Sequence, residues 1–506
     1  MAAMTATMTQ QELESYLWGA ATILRGLIDA GDYKQFIFPL VFFKRLSDVW
    51  DEDYRRALKE YEGAEDLARA EANERFVIPE GAHWDDVRAV PKDVGKALQT
   101  AMRAIEVANP ERLDSIFGDA PWTNKDRLPD HTLKNLLEHF SSQNLPIARV
   151  PEDALGNGYE YLVGKFADDG GSTAQEFYTN RTLVHLMAQM LKPHAGESIY
   201  DPTCGTGGML LSSMAEVKRA GAEHRALRLF GQERSLMTAS IARMNLVLHG
   251  IEDFDIQRGD TLADPRFTEG DRLRTFDVVL ANPPYSIKQW NREAWASDVW
   301  GRNFLGTPPQ GRADYAFFQH ILKSMDPKTG RCAILFPHGV LFRKEEADMR
   351  RKLVEADLLE CVLGLGPNLF FNSPMEACVV LCRSRKPAER RGRILFIDAV
   401  NEIARERSYS FLKPQHQQRI RTAYEAFADE DGFAKVATLD EVAAKGHSLS
   451  IPLYVRRAAA KQNNHDGRSL KQVWSTWEQE GRDFWQHMDA LVETLDGLVT
   501  GEAGNG

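Results

Sequence analysis

The chain has 506 residues, 43% of them hydrophobic, a length that predicts two or three domains rather than one core. Its formal net charge of −11 excludes a surface that is basic throughout. The sequence predicts no signal peptide and no membrane span, since the longest near-candidate, residues 36–43, is short and contains a proline. Five cysteines without metal-ligand spacing predict reduced core thiols and a cytoplasmic protein.

Residues 1–165 form the first predicted domain. Charge-rich stretches such as residues 51–56 alternate with apolar positions at helical spacing, so we expect this domain to be helical. The Asp-Asp-Gly-Gly-Ser sequence at residues 168–172 marks its end. An α/β domain is expected over residues 166–400, followed by a mostly helical C-terminal region over residues 401–506.

A glycine-rich turn follows the first predicted strand of the second domain, residues 198–200. Glycines let the backbone come close to a ligand, and the helix that follows offers free N–H groups at its start. A dinucleotide fingerprint would need a third glycine where Leu210 stands, which disfavours NAD. The candidate binding residues of this turn are Asp201, Thr203, Gly205, Thr206 and Gly207.

Two acidic residues end the next two predicted strands. Glu233 could accept both ribose hydroxyls of an adenosine, and Asp260 could receive the exocyclic amine of an adenine. Taken alone, Glu233 would be an ordinary solvated side chain at a strand end, but its position after the glycine turn favours a binding role. The order of strands and helices predicts an open parallel sheet with ligands at the carboxyl ends of its strands.

The sequence Asn-Pro-Pro-Tyr at residues 282–285 directly follows an apolar run. An amine conjugated to an aromatic ring is a poor nucleophile because the ring withdraws its lone pair. The side-chain carbonyl of Asn282 and the peptide carbonyl of Pro283, aimed at the two N–H bonds, would free that lone pair. Pro283 and Pro284 fix φ, and Tyr285 offers a flat face for a planar base. Taken alone, the motif could be a turn that closes a strand.

This ordered set of motifs resembles the S-adenosylmethionine-dependent amino-methyltransferases of DNA in which the cofactor motif precedes the catalytic motif. Further stretches are similar to the modification subunit of type I restriction-modification systems, namely residues 17–48, 174–181, 242–250, 313–320 and 334–342. The resemblance covers nearly the whole chain. It implies a Rossmann-like α/β methyltransferase domain between a helical N-terminal domain and a helical C-terminal tail.

The resemblance implies transfer of a methyl group from S-adenosylmethionine to N6 of adenine in double-stranded DNA, which protects host DNA. The target base must be flipped out, because its amine is unreachable in the stack. The implied catalytic residues are Asn282, Pro283, Pro284 and Tyr285, with Tyr285 stacking on the adenine; many relatives have Phe at this position. No metal is implied.

Residues 176–181 resemble the segment that covers the methionine end of the cofactor in this family. They are Glu176, Phe177, Tyr178, Thr179, Asn180 and Arg181, and many family members have proline where Asn180 stands. The resemblance also implies that Asp201, Gly205, Gly207 and Glu233 hold the cofactor by backbone and ribose contacts, with Asp260 on its adenine.

The net charge of −11 implies that DNA meets either a local basic face or a partner subunit. The loop after the catalytic motif is one candidate face, with Lys288, Trp290, Arg292, Trp295, Trp300, Arg302 and Arg312. The basic run at residues 383–393 is another, for which a solvated linker is the favoured interpretation.

The resemblance implies three protein partners: a specificity subunit, a restriction (motor-nuclease) subunit for cleavage, and a second copy of the chain. An aromatic pattern near the C-terminus predicts an amphipathic helix that docks on its own catalytic domain or on the specificity subunit; it comprises Trp474, Trp477, Phe484, Trp485 and Leu491. No membrane partner is expected.

Three alternatives remain. A self-sufficient adenine-N6 or cytosine-N4 methyltransferase would need its own recognition region, and the segment after Asp398 is short for that. A non-catalytic assembly protein is disfavoured by the intact motifs. Enzymes that methylate the glutamine amide of proteins also carry Asn-Pro-Pro-Tyr, but the helical N-terminal domain and the downstream motifs favour DNA.

Overall fold

The computed structural model describes residues 7–169, 179–251, 253–285, 287–369, 376–406 and 409–456, and separate positions between 474 and 488. The chain divides into two units, Met1–Arg456 and Arg457–Gly506. The first two predicted domains, residues 1–165 and 166–400, both fall within the first unit. The predicted domain boundaries at residues 166 and 401 stay predictions.

The N-terminal part of the chain is helical, as the sequence predicts. Its helices are α1 Gln10–Leu24, α2 Lys34–Glu60, α3 Glu65–Ala72, α4 Trp84–Arg88, α5 Val94–Ala108, α6 Asp130–Ser141 and α7 Glu152–Asp169. Helix α1 begins with a capping box, in which Thr9 and Glu12 each accept the backbone N–H of the other. Helix α2 is buried all round from Phe36 to Ser47, so it forms the centre of this helical core.

A nine-stranded mixed sheet forms the second part. The strands of the structure are β1 Ser198–Asp201, β2 Arg228–Glu233, β3 Phe254–Arg258, β4 Thr268–Glu269, β5 Arg272–Leu273, β6 Val278–Ala281, β7 Arg331–Pro337, β8 Leu359–Leu365, β9 Ala377–Arg383, β10 Arg393–Ala399, β11 Ala404–Glu406, β12 Tyr409–Phe411 and β13 Ala434–Thr438. The order in the large sheet is β13-β10-β8-β9-β7-β6-β1-β2-β3. The prediction of a parallel sheet is wrong in part, because β9 runs antiparallel to β7 and β8, and β13 runs antiparallel to β10.

Helices cover both faces of this sheet. They are α8 Arg181–Leu191, α9 Gly208–Arg219, α10 Leu236–Leu248, α11 Arg292–Ala296, α12 Asp314–Lys323, α13 Ala347–Glu355, α14 Pro414–Ala426 and α15 Leu439–Ala444. Alternate strand residues point to opposite faces, so Ile199 packs in the core under α8, α9 and α10 while Tyr200 packs under α12 and α13. Ile241, Met244 and Leu248 of α10 also belong to the core of the N-terminal helices, which joins the two parts.

The strand order reverses beside β1, which pairs in parallel with β2 on one side and with β6 on the other. Parallel strands that diverge in this way leave a crevice at their carboxyl ends, where open α/β sheets bind ligands. The glycine turn follows β1 and the Asn-Pro-Pro-Tyr sequence follows β6. The topology therefore brings the two predicted motifs to one edge of the sheet.

Residues 401–456 are less helical than the sequence predicts. Besides α14 and α15 they form the β11–β12 hairpin and β13, which extends the large sheet. These strands are short and partly polar, so their apolar periodicity is weak and only the pairing with β10 defines β13.

No helix among the described residues is long and apolar enough to cross a membrane. All five cysteines are free and buried.

Candidate active site

A cleft of about 1180 Å³ lies at the carboxyl edge of β1, β2, β3 and β6. Most of the predicted site residues line it, namely Thr179, Arg181, Asp201, Thr203, Gly205, Thr206, Glu233, Asp260, Asn282, Pro283, Pro284 and Tyr285. Asn180 and Gly207 adjoin these residues in the chain. Glu176, Phe177 and Tyr178 lie outside the described residues. One cleft thus joins the glycine turn to the Asn-Pro-Pro-Tyr sequence.

The glycine turn needs glycine at two positions for conformational reasons. Gly205 has a φ of +52° and Gly207 a φ of +82°, in the left-handed region that other residues rarely adopt. Gly207 is the N-cap of α9, and Gly208 and Met209 in the first turn of this helix line the cleft. The backbone N–H of Gly205 donates to a carboxylate oxygen of Glu233 at 3.1 Å.

Two buried carboxylates face each other at the ends of β1 and β2. Burial raises the pKa of Asp201 to about 7, and the nearby charge of Glu233 contributes in the same direction, although Asp201 accepts the N–H of Thr203 at 3.0 Å. Burial also raises the pKa of Glu233, against the N–H bonds from Ser235 at 2.8 Å and from Gly205. Burial therefore disfavours the ionised forms of both carboxyl groups, and a cationic ligand would stabilise those forms.

Asp260 follows β3 and is half-exposed at the rim of the cleft. One carboxylate oxygen accepts the N–H groups of Leu262 and Ala263, at 3.0 and 3.2 Å. The other lies 4.0 Å from Nε of Arg234. Its orientation is thus set by its own turn, as is usual for an aspartate in this position.

The side chain of Asn282 is held at both ends. Its Nδ2 donates to Oγ1 of Thr179 at 2.9 Å, and its Oδ1 accepts the hydroxyl of Tyr285 at 2.8 Å. Pro283 is buried, whereas Pro284 is exposed. Burial raises the pKa of the Tyr285 hydroxyl well above its usual value, so this group stays protonated and can donate. The carbonyl oxygen of Asn282 is a fixed acceptor in the cleft.

Asn180 fixes the backbone at the start of α8 with its side chain. It caps α8, since its Oδ1 accepts the N–H of Thr182 at 3.0 Å. Its Nδ2 donates to the carbonyl of Ser410 in β12 at 2.9 Å. Only 6% of Asn180 is exposed, so the start of α8 is anchored to the β11–β12 hairpin.

Comparison with known proteins identifies the family. The family model for N-6 DNA methylases matches residues 150–463, and the model for the HsdM N-terminal domain matches residues 13–140. The chain belongs to the N-6 DNA methylase family. It is a type I restriction-modification methylase subunit and an N6-adenine DNA methyltransferase, as the sequence motifs predict.

Two relatives from one organism and one solved structure illustrate this membership. The MjaVIII methylase subunit of Methanocaldococcus jannaschii is 30% identical over 97% of this chain and 86% of its own length. The MjaIX methylase subunit of the same organism is 29% identical, covering 88% of this chain and 84% of the relative. The crystal structure of the type I methyltransferase subunit from Streptococcus thermophilus superposes with a TM-score of 0.77 at 29% identity, covering 88% of this chain and 100% of that chain.

The loop between β6 and α12, one of the two candidate DNA faces, contains a buried arginine. Arg302 of this methylase subunit is 1% exposed and pairs with Asp298 at 2.6 Å. It also donates to the carbonyls of Thr261 and Leu262, both at 2.9 Å, and its guanidinium lies 4.6 Å from the ring centre of Trp295. Arg302 and the buried Trp295 therefore hold the loop, and neither is available to DNA in this conformation.

Three of the six cations in the basic run at residues 383–393 pair with acidic residues of the fold. Arg383 and Arg390 both contact Glu360, which is 1% exposed, at 3.1 and 3.2 Å. The ammonium of Lys386 lies 2.6 Å from Asp357. Acidic residues of β8 and of the turn before it thus neutralise these three side chains. The interpretation of the run as a solvated linker does not hold for them.

Two supporting residues were not among the predicted site residues. Nδ2 of Asn245, which is fully buried in α10, donates to the carbonyl of Thr206 in the glycine turn at 2.9 Å and to Glu160 of α7 at 2.6 Å. Glu160 also forms an ion pair with Arg181, which donates to the carbonyl of Gly208. An asparagine among apolar residues of a helix is the one sequence signal that could have indicated this contact.

Proposed function

We propose that this N6-adenine DNA methyltransferase binds S-adenosylmethionine against the glycine turn and activates the target amine with Asn282 and Pro283. The observation that carries the proposal is that the side-chain carbonyl of Asn282 shares one cleft with the glycine turn and with the carboxylates of Asp201 and Glu233. A flipped adenine and the cofactor can then approach each other within the same cleft.

The residues present fit this cofactor. The carboxylate of Asp201 beside the glycine turn would repel the pyrophosphate of a dinucleotide but attract the cationic groups of S-adenosylmethionine. Glu233 would hold the ribose hydroxyls with the lone pairs that its backbone bonds leave free, and Asp260 would receive the adenine amine. When bound, the cofactor supplies an electrophilic methyl group.

The chain's own contribution to the reaction is to raise the nucleophilicity of N6. The carbonyl oxygens of Asn282 and Pro283 accept the two N–H bonds of the amine and favour a tetrahedral nitrogen, whose lone pair is free to attack. Tyr285 stacks on the extruded base, and Pro284 keeps the turn rigid. The proton that the methylated amine must lose passes to solvent.

We propose that the recognition sequence is read by a specificity subunit, in a complex that also contains a second copy of this chain and, for cleavage, a restriction subunit. The described residues 401–456 support the proposal that another subunit recognises the DNA sequence. They extend the sheet and contact the start of α8, and they do not form a separate DNA-recognition domain. In the second unit, Trp474, Trp477 and Trp485 are each more than half exposed, which suits a docking helix; Phe484 and Leu491 lie outside the described residues.

Asn282→Ala tests the assignment. With the specificity subunit and DNA present, we expect kcat for N6-methyladenine formation to fall about 100- to 1000-fold, because one fixed acceptor is lost. The dissociation constant of the cofactor, measured by calorimetry, should change less than about twofold, because Asn282 acts on the target amine. Asn401→Ala, a change at an exposed asparagine that is not among the residues lining the cleft, is the matched control and should keep normal methylation.

Glu233→Ala should give the opposite pattern, with weaker cofactor binding. Equal loss of binding and turnover in Asn282→Ala would contradict its role as the amine acceptor. Methylation of a short palindromic site by this chain without a specificity subunit would instead indicate a self-sufficient methyltransferase, of adenine N6 or cytosine N4.

A further inference from the structure

An amide side chain that activates an amine must present the correct end to it. The carbonyl oxygen of Asn282 can accept an N–H bond of the target, but its NH₂ group would meet the same bond with another donor. The two ends are nearly identical in shape, so packing alone does not select between them. A neighbouring group must hold the NH₂ end away from the substrate.

Thr179 is the group that contacts the NH₂ end. Its Oγ1 accepts from Nδ2 of Asn282 at 2.9 Å, although 103 residues separate the two in sequence. Tyr285 contacts the other end, where its hydroxyl donates to Oδ1 at 2.8 Å. That oxygen is the atom that the incoming amine needs, so Tyr285 must share it or give it up when the base enters, whereas the bond to Thr179 can persist.

We propose that Thr179 is a positioning residue of the methyl transfer, whose hydroxyl orients the amide of Asn282 with its carbonyl toward the target amine. This inference rests on the role proposed above for Asn282. It gives Thr179 a function beyond the cofactor contact that the family resemblance implies. The acceptor is thereby fixed before the base arrives, and no reorientation is needed during the reaction.

The position of Thr179 is itself well defined. The next residue, Asn180, caps α8 and is tied to the carbonyl of Ser410. Oγ1 of Thr182 in the first turn of α8 accepts the N–H of Leu412 at 2.9 Å. The hairpin and the chain after it thus hold the start of α8, and the hydroxyl of Thr179 has a fixed place beside Asn282.

The test compares two substitutions at this position. Thr179→Val keeps the branched shape but removes the hydroxyl, and we expect kcat to fall about 10- to 100-fold while the cofactor dissociation constant changes less than about twofold. Thr179→Ser keeps the hydroxyl and should retain kcat within about threefold. Both variants are measured as full chains in complex with the specificity subunit, with the KM for DNA determined separately.

Three results would overturn the inference: a normal kcat in Thr179→Val, an equal loss of kcat in Thr179→Ser, or a loss of cofactor affinity large enough to account for the loss of turnover. The Asn282→Ala variant, measured in parallel, separates this inference from the proposed function. If Asn282→Ala is inactive and Thr179→Val is fully active, only the role of Thr179 fails. If Asn282→Ala stays active, the proposed function fails as well.

Discussion

The two walls of the cleft are held by different kinds of contact. In the cofactor wall, formed by the glycine turn with Glu233 and Asp260, each carboxylate accepts a backbone N–H two or three residues further along the chain. In the amine wall, residues 282–285, the functional amide bonds to two side-chain hydroxyls. The carboxylates of the cofactor wall are therefore oriented mainly by their own turns, with further bonds from Gly205 to Glu233 and from Asn245 to the glycine turn. The amide of the amine wall depends on Thr179, which lies 103 residues away in sequence.

This difference has a consequence for substitutions. A local turn keeps its geometry when distant residues change, so the cofactor wall should respond mainly to changes in its own charges. The amide in the amine wall depends on Thr179, which belongs to another segment, and should therefore respond to changes far away in sequence. Arg302 is the exception that joins the walls, because it binds the carbonyls of Thr261 and Leu262 while it anchors the loop after the amine wall.

The largest effect on stability is expected at Arg302. Arg302→Met keeps much of the side-chain volume but leaves the buried carboxylate of Asp298 without its partner. Breaking a buried ion pair from one side costs about 3–5 kcal/mol. We expect a clearly lower unfolding temperature in calorimetry, together with weaker cofactor binding and slower turnover, because both walls are affected.

The matched control is Arg292→Met in the same loop. Arg292 is exposed and makes one hydrogen bond to the carbonyl of Pro308, so the cost should stay within about 1 kcal/mol. An unchanged unfolding temperature in Arg302→Met would show that the two walls are stable without this link.

An intermediate effect is expected when pH changes the charge of the cofactor wall and thereby the affinity for the cofactor. The pKa of Asp201 is raised to about 7 in the folded protein, whereas an aspartate in the unfolded chain has a pKa of about 4. Between about pH 4 and pH 7 the folded protein therefore holds a proton on Asp201 that the unfolded chain has released. A cationic cofactor favours the carboxylate, so its affinity should rise up to pH 7 and then level off. Below pH 7 we expect the dissociation constant to increase by up to about tenfold for each unit, measured by calorimetry.

Asp201→Asn is the control for this titration. The amide keeps the shape but has no charge to lose, so binding should be weaker at pH 8 and nearly independent of pH between 5.5 and 8. A pH profile like that of the unmodified protein would assign the titration to another group, of which Glu233 is the nearest.

The smallest effect is expected at Asn180. Asn180→Ala removes the cap of α8 and the bond to Ser410, which should cost about 1–2 kcal/mol of stability. Because this residue fixes the backbone beside Thr179, kcat should fall several-fold while cofactor affinity changes little. Unchanged turnover in a destabilised variant would mean that the amine wall does not depend on this anchor.

Much of the fold and the site was predictable from local signals. The glycine turn, Glu233, Asp260 and the Asn-Pro-Pro-Tyr sequence each follow an apolar strand, and the structure gathers them around one cleft. The antiparallel placement of β9 and the recruitment of β13 were not predictable in the same way. A buried strand has the same apolar pattern in either direction, and an edge strand has too few buried residues to show a pattern.

The amino-acid sequence by itself determined the family, the order of the motifs and the residue types available for chemistry. Each motif is a short strand followed by a turn, and the conformation of such a segment depends mainly on neighbouring residues. Only the tertiary structure decided which charges are used internally, as with Arg302 and the arginines around Glu360, and which end of Asn282 meets Thr179. The deciding contacts join groups far apart in sequence, such as Arg302 with the carbonyls of Thr261 and Leu262, so they depend on which groups folding brings within about 3 Å of each other.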